Sequence, residues 1–268
     1  MKITLDITKT VEENATAYFE KAKKSKKKIA GAEEAIRKFE GRYKTEEKKE
    51  QEKKEMGRKV LKTERKWFEK FRWSLTTDGY LIIAGRDATT NEILIKKHTE
   101  PDDVVFHASL SGSPFTVIKT HKKKASEPSI AEAAAFTATN SRAWRMGLGS
   151  LEVFHVAPSQ VTKEAKAGEY MSKGSFMVYG KRQNVNASLE CFIGVISKGK
   201  LADEDIGEFK GKIISGRMGQ VSRYCDSQVH IIQGGMKPSD AAKIIKKRIG
   251  GDLDEIIRAL PPGSCDVR

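Results

Sequence analysis

The chain has 268 residues, 38% hydrophobic and 32% charged, with 50 Lys and Arg against 36 Asp and Glu and a formal net charge of +14. That leaves apolar residues for a core in one large domain or two small ones plus an arm, and a cationic surplus that favours a polyanion, RNA or DNA, over an acidic membrane surface. No apolar run nears the ~20 residues that span a bilayer, and no apolar signal core opens the chain. Cys191, Cys225 and Cys265 make no CxxC pair and no zinc spacing with the five histidines, so they read as free thiols of a reducing compartment. A cytoplasmic protein with no membrane, metal or cofactor is expected.

Residues 1–10 read as a short extended entry. Thr10 with Glu13 three residues later has the form of a capping box. Ala15, Tyr18, Phe19 and Ala22, then Ile29, Ala32, Ile36 and Phe39, mark apolar helical positions. The stretch KTEEKKEQEKKE after Tyr43 has no apolar residue and would be held by i,i+4 pairs worth roughly 0.2–0.5 kcal/mol each. Apolar positions resume at Met56, Val60 and Leu61. Residues 11–72 are read as a two-helix antiparallel coiled coil turning between Gly41 and Glu50, with one long bent helix as the alternative.

From Tyr80 to Lys181 strand and helix signals mix. Strands are expected at Tyr80–Ala84, Glu92–Lys96, Val104–His107, Phe115–Ile118, Leu151–His155 and Ser175–Tyr179. A helix is expected over Ser129–Met146, after Glu127-Pro128. This is an α+β pattern with a mixed sheet. The chain loosens over Gln183–Ser188. A second module then shows strands at Leu189–Ile196, Gly211–Ser215 and Val229–Gln233. Its helices run from Ser239 to about Ile249 and from Leu253 to Leu260, the first stopped at Gly250-Gly251.

Few motifs carry chemistry. Gly85-Arg86-Asp87 reads first as a hairpin turn; its functional reading has Arg86 gripping phosphate while Asp87 orients it. Asp103 and His107 share a strand face four residues apart, a weak acid–base signal, so His107 reads as structural or RNA-facing. Ser109-Leu110-Ser111-Gly112-Ser113 lacks the ending of a P-loop and reads as an ordinary loop. His121-Lys122-Lys123-Lys124 is the most concentrated basic loop. Like charges repel there until a polyanion lies against them.

KWFEKFRWSLTTDGYLIIAGRDATTNEILIKK, DDVVFHASLSGSPFTVIK and VAPSQVTKEAKAGEYMSKGSFMVYGKR together resemble the NFACT-R domain. The resemblance is to the NFACT family of ribosome-associated quality-control factors, relatives of nuclear export mediator factor, and to its archaeal and eukaryotic members more than its bacterial ones. It covers Lys66 to Arg182 in order. The end, VHIIQGGMKPSDAAKIIKKRI…LDEIIRALPPG, is similar to the small NFACT-C domain. The resemblance implies a factor that binds large ribosomal subunits obstructed by peptidyl-tRNA, contacts tRNA and promotes tailing of the stalled peptide. It also implies an N-terminal NFACT half, acting in cis or in trans, that is absent here. Met1 is then an added start, a split gene or a natural short form.

The expected organisation is a helical coiled-coil arm over 1–66, a mixed-sheet NFACT-R domain over 67–182 and a small α+β C-terminal domain over 189–268. The expected function is the non-enzymatic RNA- and ribosome-binding part of such a factor, with large-subunit rRNA and tRNA as partners and a homodimer through the coiled coil as a further possibility. The candidate RNA contacts are Lys23, Lys24, Lys26, Lys27, Lys28, Arg72, Arg86, Asp87, His107, Lys119, His121, Lys122, Lys123, Lys124, Lys163, Lys181 and Arg182. The rival readings are an RNA-processing enzyme using His107 and Asp103, and a coiled-coil interaction scaffold.

Overall fold

The computed structural model describes residues 4–58, 66–163, 173–198 and 206–268. The chain divides into two units, Met1–Arg65 and Lys66–Arg268.

Among the described residues the first unit holds one helix, α1 (Val11–Arg58), about 72 Å long at 1.5 Å per residue. The capping box forms: Thr10 Oγ1 accepts from the Glu13 amide at 3.2 Å, and Glu13 Oε2 accepts from the Thr10 amide at 2.8 Å. The entry is turned back rather than extended, because Asn14 binds the backbone of Asp6 in both directions and Tyr18 donates to the Thr4 carbonyl. The expected turn between Gly41 and Glu50 is not there; the helix runs straight through it. That stretch contains no Pro, only one Gly, and Glu and Lys residues spaced to pair, so nothing in it breaks a helix. Val11, Phe19, Ile29 and Ile36 stand exposed, so α1 has no partner helix among the described residues. The remaining helical expectation, 59–65, lies outside them.

The second unit opens with a single 3₁₀ turn, Trp67–Lys70, and continues as α+β. Its elements are β1 (Arg72–Leu75), β2 (Leu81–Ala84), α2 (Ala88–Lys97), β3 (Val104–Ala108), β4 (Thr116–Lys119), α3 (Glu127–Thr139), α4 (Arg142–Arg145), β5 (Ser150–Val156), β6 (Val161–Thr162), β7 (Met177–Val178) and β8 (Gln183–Ser188). There follow β9 (Cys191–Ile196), β10 (Ile213–Gly216), α5 (Met218–Tyr224), β11 (Cys225–Gln233), α6 (Pro238–Ile249), α7 (Leu253–Ala259) and β12 (Cys265–Val267).

The first sheet has the order β1-β2-β4-β3-β5-β8 and is antiparallel throughout, not mixed. β2 and β3 run the same way and are joined through α2, but β4 lies between them. β4 and β5 likewise run the same way, joined through α3, with β3 between them. Each helical crossover therefore skips a strand and every neighbour pair is antiparallel. Right-handed crossovers starting from opposed strands put their helices on opposite faces. Accordingly, Ile82, Phe106, Ile118, Val153 and Ala187 pack with α3 in one cluster, while Ile83, Val105, Val117, Phe154 and Val156 pack with Leu94 of α2 in another.

Three readings change in detail. Glu92–Lys96 is helical, because Asp87 caps α2 in a reciprocal capping box with Thr90. Gly85-Arg86-Asp87 is consequently a strand-to-helix junction, not a hairpin. Gln183–Ser188, read as a loosened stretch, is the sixth strand of the sheet.

The second sheet, β10-β9-β11-β12, is also antiparallel. α6 and α7 contribute Ala241, Ala242, Ile245 and Ile256 to its buried face. It closes on the first sheet at the β1 edge. There Ser74 Oγ donates to the Ser215 carbonyl, Gln220 Nε2 donates to the Leu75 carbonyl, and the Tyr224 hydroxyl donates to the Thr76 carbonyl. These bonds occupy an edge that would otherwise leave unpaired backbone groups.

Candidate nucleic-acid interface

The register fixes which loops share an end of the first sheet. Val104 pairs with Ile118, Val105 with Val156, and His155 with Gln183. The end of β4, the start of β3, the end of β5 and the start of β8 therefore lie together. Three strand steps put the β4 and β8 exits about 14 Å apart. Out of the first comes His121–Lys124; into the second run Lys181 and Arg182. All six residues are exposed.

The tip itself is strained. Lys123 donates its amide to the Thr120 carbonyl at 3.0 Å, closing a tight turn whose central residues, His121 and Lys122, have φ of 50° and 67°. That turn geometry favours Asn-Gly, and a side chain in the left-handed region costs about 1–2 kcal/mol. Four basic side chains are thus held at a loop tip at the expense of local stability.

Arg182 reaches back along the sheet. Its guanidinium lies 4.6 Å from the Phe154 ring centroid and donates to the Val178 carbonyl at 3.4 Å. His107 stacks on Phe115 at 4.2 Å and tilts against Phe154 at 5.9 Å, and Phe115 meets Phe176 edge-on. Burial pushes the His107 pKa down to about 4, partly opposed by its hydrogen bond to the Ser113 backbone. His107 is therefore a neutral packing residue near neutral pH and supplies no charge to a phosphate. Nor does it join Asp103. Four residues of strand separate them by roughly 13 Å, and Asp103 is spent on Lys119, the Glu100 amide and the Thr120 amide. The acid–base pair of the enzyme reading does not form.

Several expected contacts prove to be structural cations. Lys119 is 5% exposed, and its amine binds Asp103 at 2.6 Å and Glu100 at 3.3 Å. Arg72 donates to the carbonyls of Leu260 at 2.7 Å and Arg258 at 3.3 Å, at the end of α7 where the helix dipole is negative. Desolvation, then the nearby Arg86, lowers its pKa to about 10. Arg86 donates to the same Arg258 carbonyl. Desolvation and Arg258 lower its pKa, while Asp87 opposes the shift. Asp87 does not clasp Arg86; its carboxylate accepts from the Thr90 amide at 2.8 Å, which holds it below the usual carboxylate range. Lys163 is drawn to Glu92 at 3.6 Å, the Ser175 carbonyl at 3.2 Å and the Phe176 ring at 5.1 Å. In the first unit Lys23, Lys24, Lys26, Lys27 and Lys28 are all exposed on α1.

The Phe154–Phe115–Phe176 cluster carries no sequence motif of its own. The alternation of LEVFHV already signals that Phe154 and Glu152 share a face. Among the described residues no group of three or more His, Cys, Asp or Glu is placed to hold a metal ion. No helix among them is long and apolar enough to cross a membrane.

Residues 70–180 match the NFACT protein RNA binding domain. The chain is 41% identical over 214 residues to the archaeal Rqc2 homolog aRqcH of Methanocaldococcus jannaschii, covering 78% of this chain and 30% of that one. It is 36% identical over 178 residues to the ribosome quality control complex subunit NEMF of Homo sapiens, covering 63% and 16%. With the Drosophila melanogaster homolog of that subunit it shares 30% identity over 223 residues, covering 78% and 21%. The chain thus spans less than a third of these curated relatives. β8 lies just beyond the matched domain segment yet completes its sheet. With an NFACT RNA-binding domain built on this sheet and its greatest identity among these three relatives to the archaeal one, the chain belongs to the NFACT family, as an archaeal-type member.

Proposed function

We propose that this chain is the RNA- and ribosome-binding portion of a ribosome quality-control factor, acting in the cytoplasm on large ribosomal subunits obstructed by peptidyl-tRNA. The observation that carries the reading is the strained, exposed His121–Lys124 tip, set at the same end of the sheet as Lys181 and Arg182. Two groups of cations about 14 Å apart suit phosphates farther along one nucleic-acid strand than immediate neighbours, and their mutual repulsion falls when a polyanion binds. The α1 lysines supply a second, independent polyanion-attracting surface. The names of the relatives, ribosome quality control complex subunits, support the ribosomal destination. Contact with tRNA, cooperation with an N-terminal half in cis or in trans, and pairing of chains through α1 belong to the same proposal.

Cosedimentation with purified large subunits, with and without peptidyl-tRNA, across a salt series tests it. Binding that weakens steeply with salt and prefers the obstructed subunit is expected. Binding indifferent to salt would favour a protein-interaction scaffold, and binding blind to peptidyl-tRNA would move that recognition out of this chain.

A further inference from the structure

The α2 face of the first sheet is only half covered. Over β2, β4 and β3 it is roofed by α2 and apolar side chains. Among the described residues, the side chains on this face of β8 and of the start of β5 are exposed, while Phe154 and Val156 of β5 are buried on it. Along β5, Ser150 and Glu152 are exposed before the buried Phe154; along β8, Asn184, Asn186 and Ser188 are exposed. The alternate residues Leu151, Val153, Val185 and Ala187 point the other way, into the α3 cluster. The register sets Glu152 against Asn186 and Phe154 against Asn184. The side chains of Glu152, Asn184 and Asn186 have no hydrogen bond or ion pair to any described residue.

Solubility alone does not account for this surface. Asn is depleted in strands, and an outer strand is ordinarily guarded by Lys, Pro or a bulge against pairing with other chains. β8 has none of these within it: two carboxamides stand on an unguarded edge strand where Thr or Lys would be better strand formers or better guards. The surface also has a charge gradient. Lys181 and Arg182 lead into β8, and the Arg182 guanidinium lies over Phe154 at the head of the open face. Glu152 repels phosphate from its middle.

We propose, resting on the RNA-binding reading above, that the open face of β5 and β8 contacts the bases of single-stranded RNA. Asn184 and Asn186 hydrogen-bond base edges, Glu152 accepts from exocyclic amino groups, and Arg182 anchors the phosphate at the entry. Carboxamides pair with donor–acceptor edges, and carboxylates accept from amino groups but not from carbonyls. Successive residues on one strand face lie about 7 Å apart, a spacing suited to splayed, unstacked bases rather than to a duplex, which is recognised mostly by its shape and its 2′-hydroxyl and phosphate groups. Glu152 makes the surface prefer amino-bearing bases, so runs rich in A or C bind better than runs of U.

Fluorescence anisotropy with 12-nucleotide A, C and U oligomers, each at several salt concentrations, tests this on the full chain. The wild type is expected to bind A or C oligomers at least fivefold more tightly than U. In Asn184→Ala/Asn186→Ala that preference falls to within twofold while the salt slope is unchanged; in Glu152→Gln it weakens. A chain that binds all three equally, with a steep salt slope, would overturn base contact here and leave the RNA-binding reading standing. A chain that binds none would sink both. A double variant that keeps its preference, yet loses ribosome binding, would assign the β8 edge to a protein strand and overturn the proposal too.

Discussion

Arg72, Arg86 and Lys119 on one side, and His121–Lys124 on the other, count alike in a sum of charges. In the fold they do opposite things. The first three are held by carbonyls and carboxylates: Arg72 and Arg86 at the end of α7, Lys119 on Asp103. The tip residues are exposed on a turn that strains their backbone. Lys119 is buried and Arg72 half-buried, while Arg86 is as exposed as the tip and differs from it in donating to the Arg258 carbonyl. Part of the net charge of +14 is thus internal reinforcement, while the tip and the α1 lysines carry theirs on exposed side chains.

The contrast can be broken at its structural side first. Asp103→Ala leaves the buried Lys119 amine with the exposed Glu100 carboxylate and the His98 carbonyl, both at 3.3 Å. A loss of about 3 kcal/mol is expected, the low end for an orphaned buried charge, with RNA affinity unchanged; denaturant unfolding measures it. Next comes His107. Its folded pKa of about 4 lies below the ordinary 6.5, so the unfolded chain binds the extra proton between those values. Stability is then full above pH 6.5 and falls as pH drops toward 4, by up to about 3 kcal/mol. His107→Phe should flatten that slope, leaving the smaller contributions of His98 and His155, whose pKa values desolvation also lowers.

Arg72→Met removes two charged hydrogen bonds to the end of α7, for a loss of about 2 kcal/mol. In a unit of this size that lowers Tm by roughly 4–8 °C, readable by calorimetry. The smallest effect sharpens the other side. His121→Asn with Lys122→Gly fits the turn and should raise stability by about 1 kcal/mol while weakening RNA binding. A variant that gains stability and keeps its affinity would mean the strain at the tip serves no binding purpose.

Much of this arrangement was legible before the fold. Strong apolar runs at Leu81–Ala84, Val104–Ala108 and Cys191–Ile196 became strands, and the 3.6-residue spacing of α6 became a helix. Glu92–Lys96 misled because a short apolar run such as Ile93-Leu94-Ile95 suits either state, and the deciding signal was one cap, Asp87 with Thr90. β8 was hidden because Asn and Gln argue against a strand, and pairing with β5 overrode that preference. Of the site, the basic tip and Lys181-Arg182 were visible as composition. That Arg72 and Lys119 were already engaged was not, because their partners lie 186 to 188 and 16 residues away. Antiparallel pairing was equally out of reach, since it depends on which strand is inserted between two others.

The most direct test is the salt dependence of binding to an unstructured RNA for two variants, one with Lys122, Lys123 and Lys124 changed to Ser and one with Arg72→Met. The tip variant should lose roughly 0.7–0.9 of log–log slope per phosphate contact removed and keep its Tm; the Arg72 variant should keep the slope and lose Tm. If the Arg72 variant loses the slope, or the tip variant keeps it, the division into structural and RNA-facing cations is wrong.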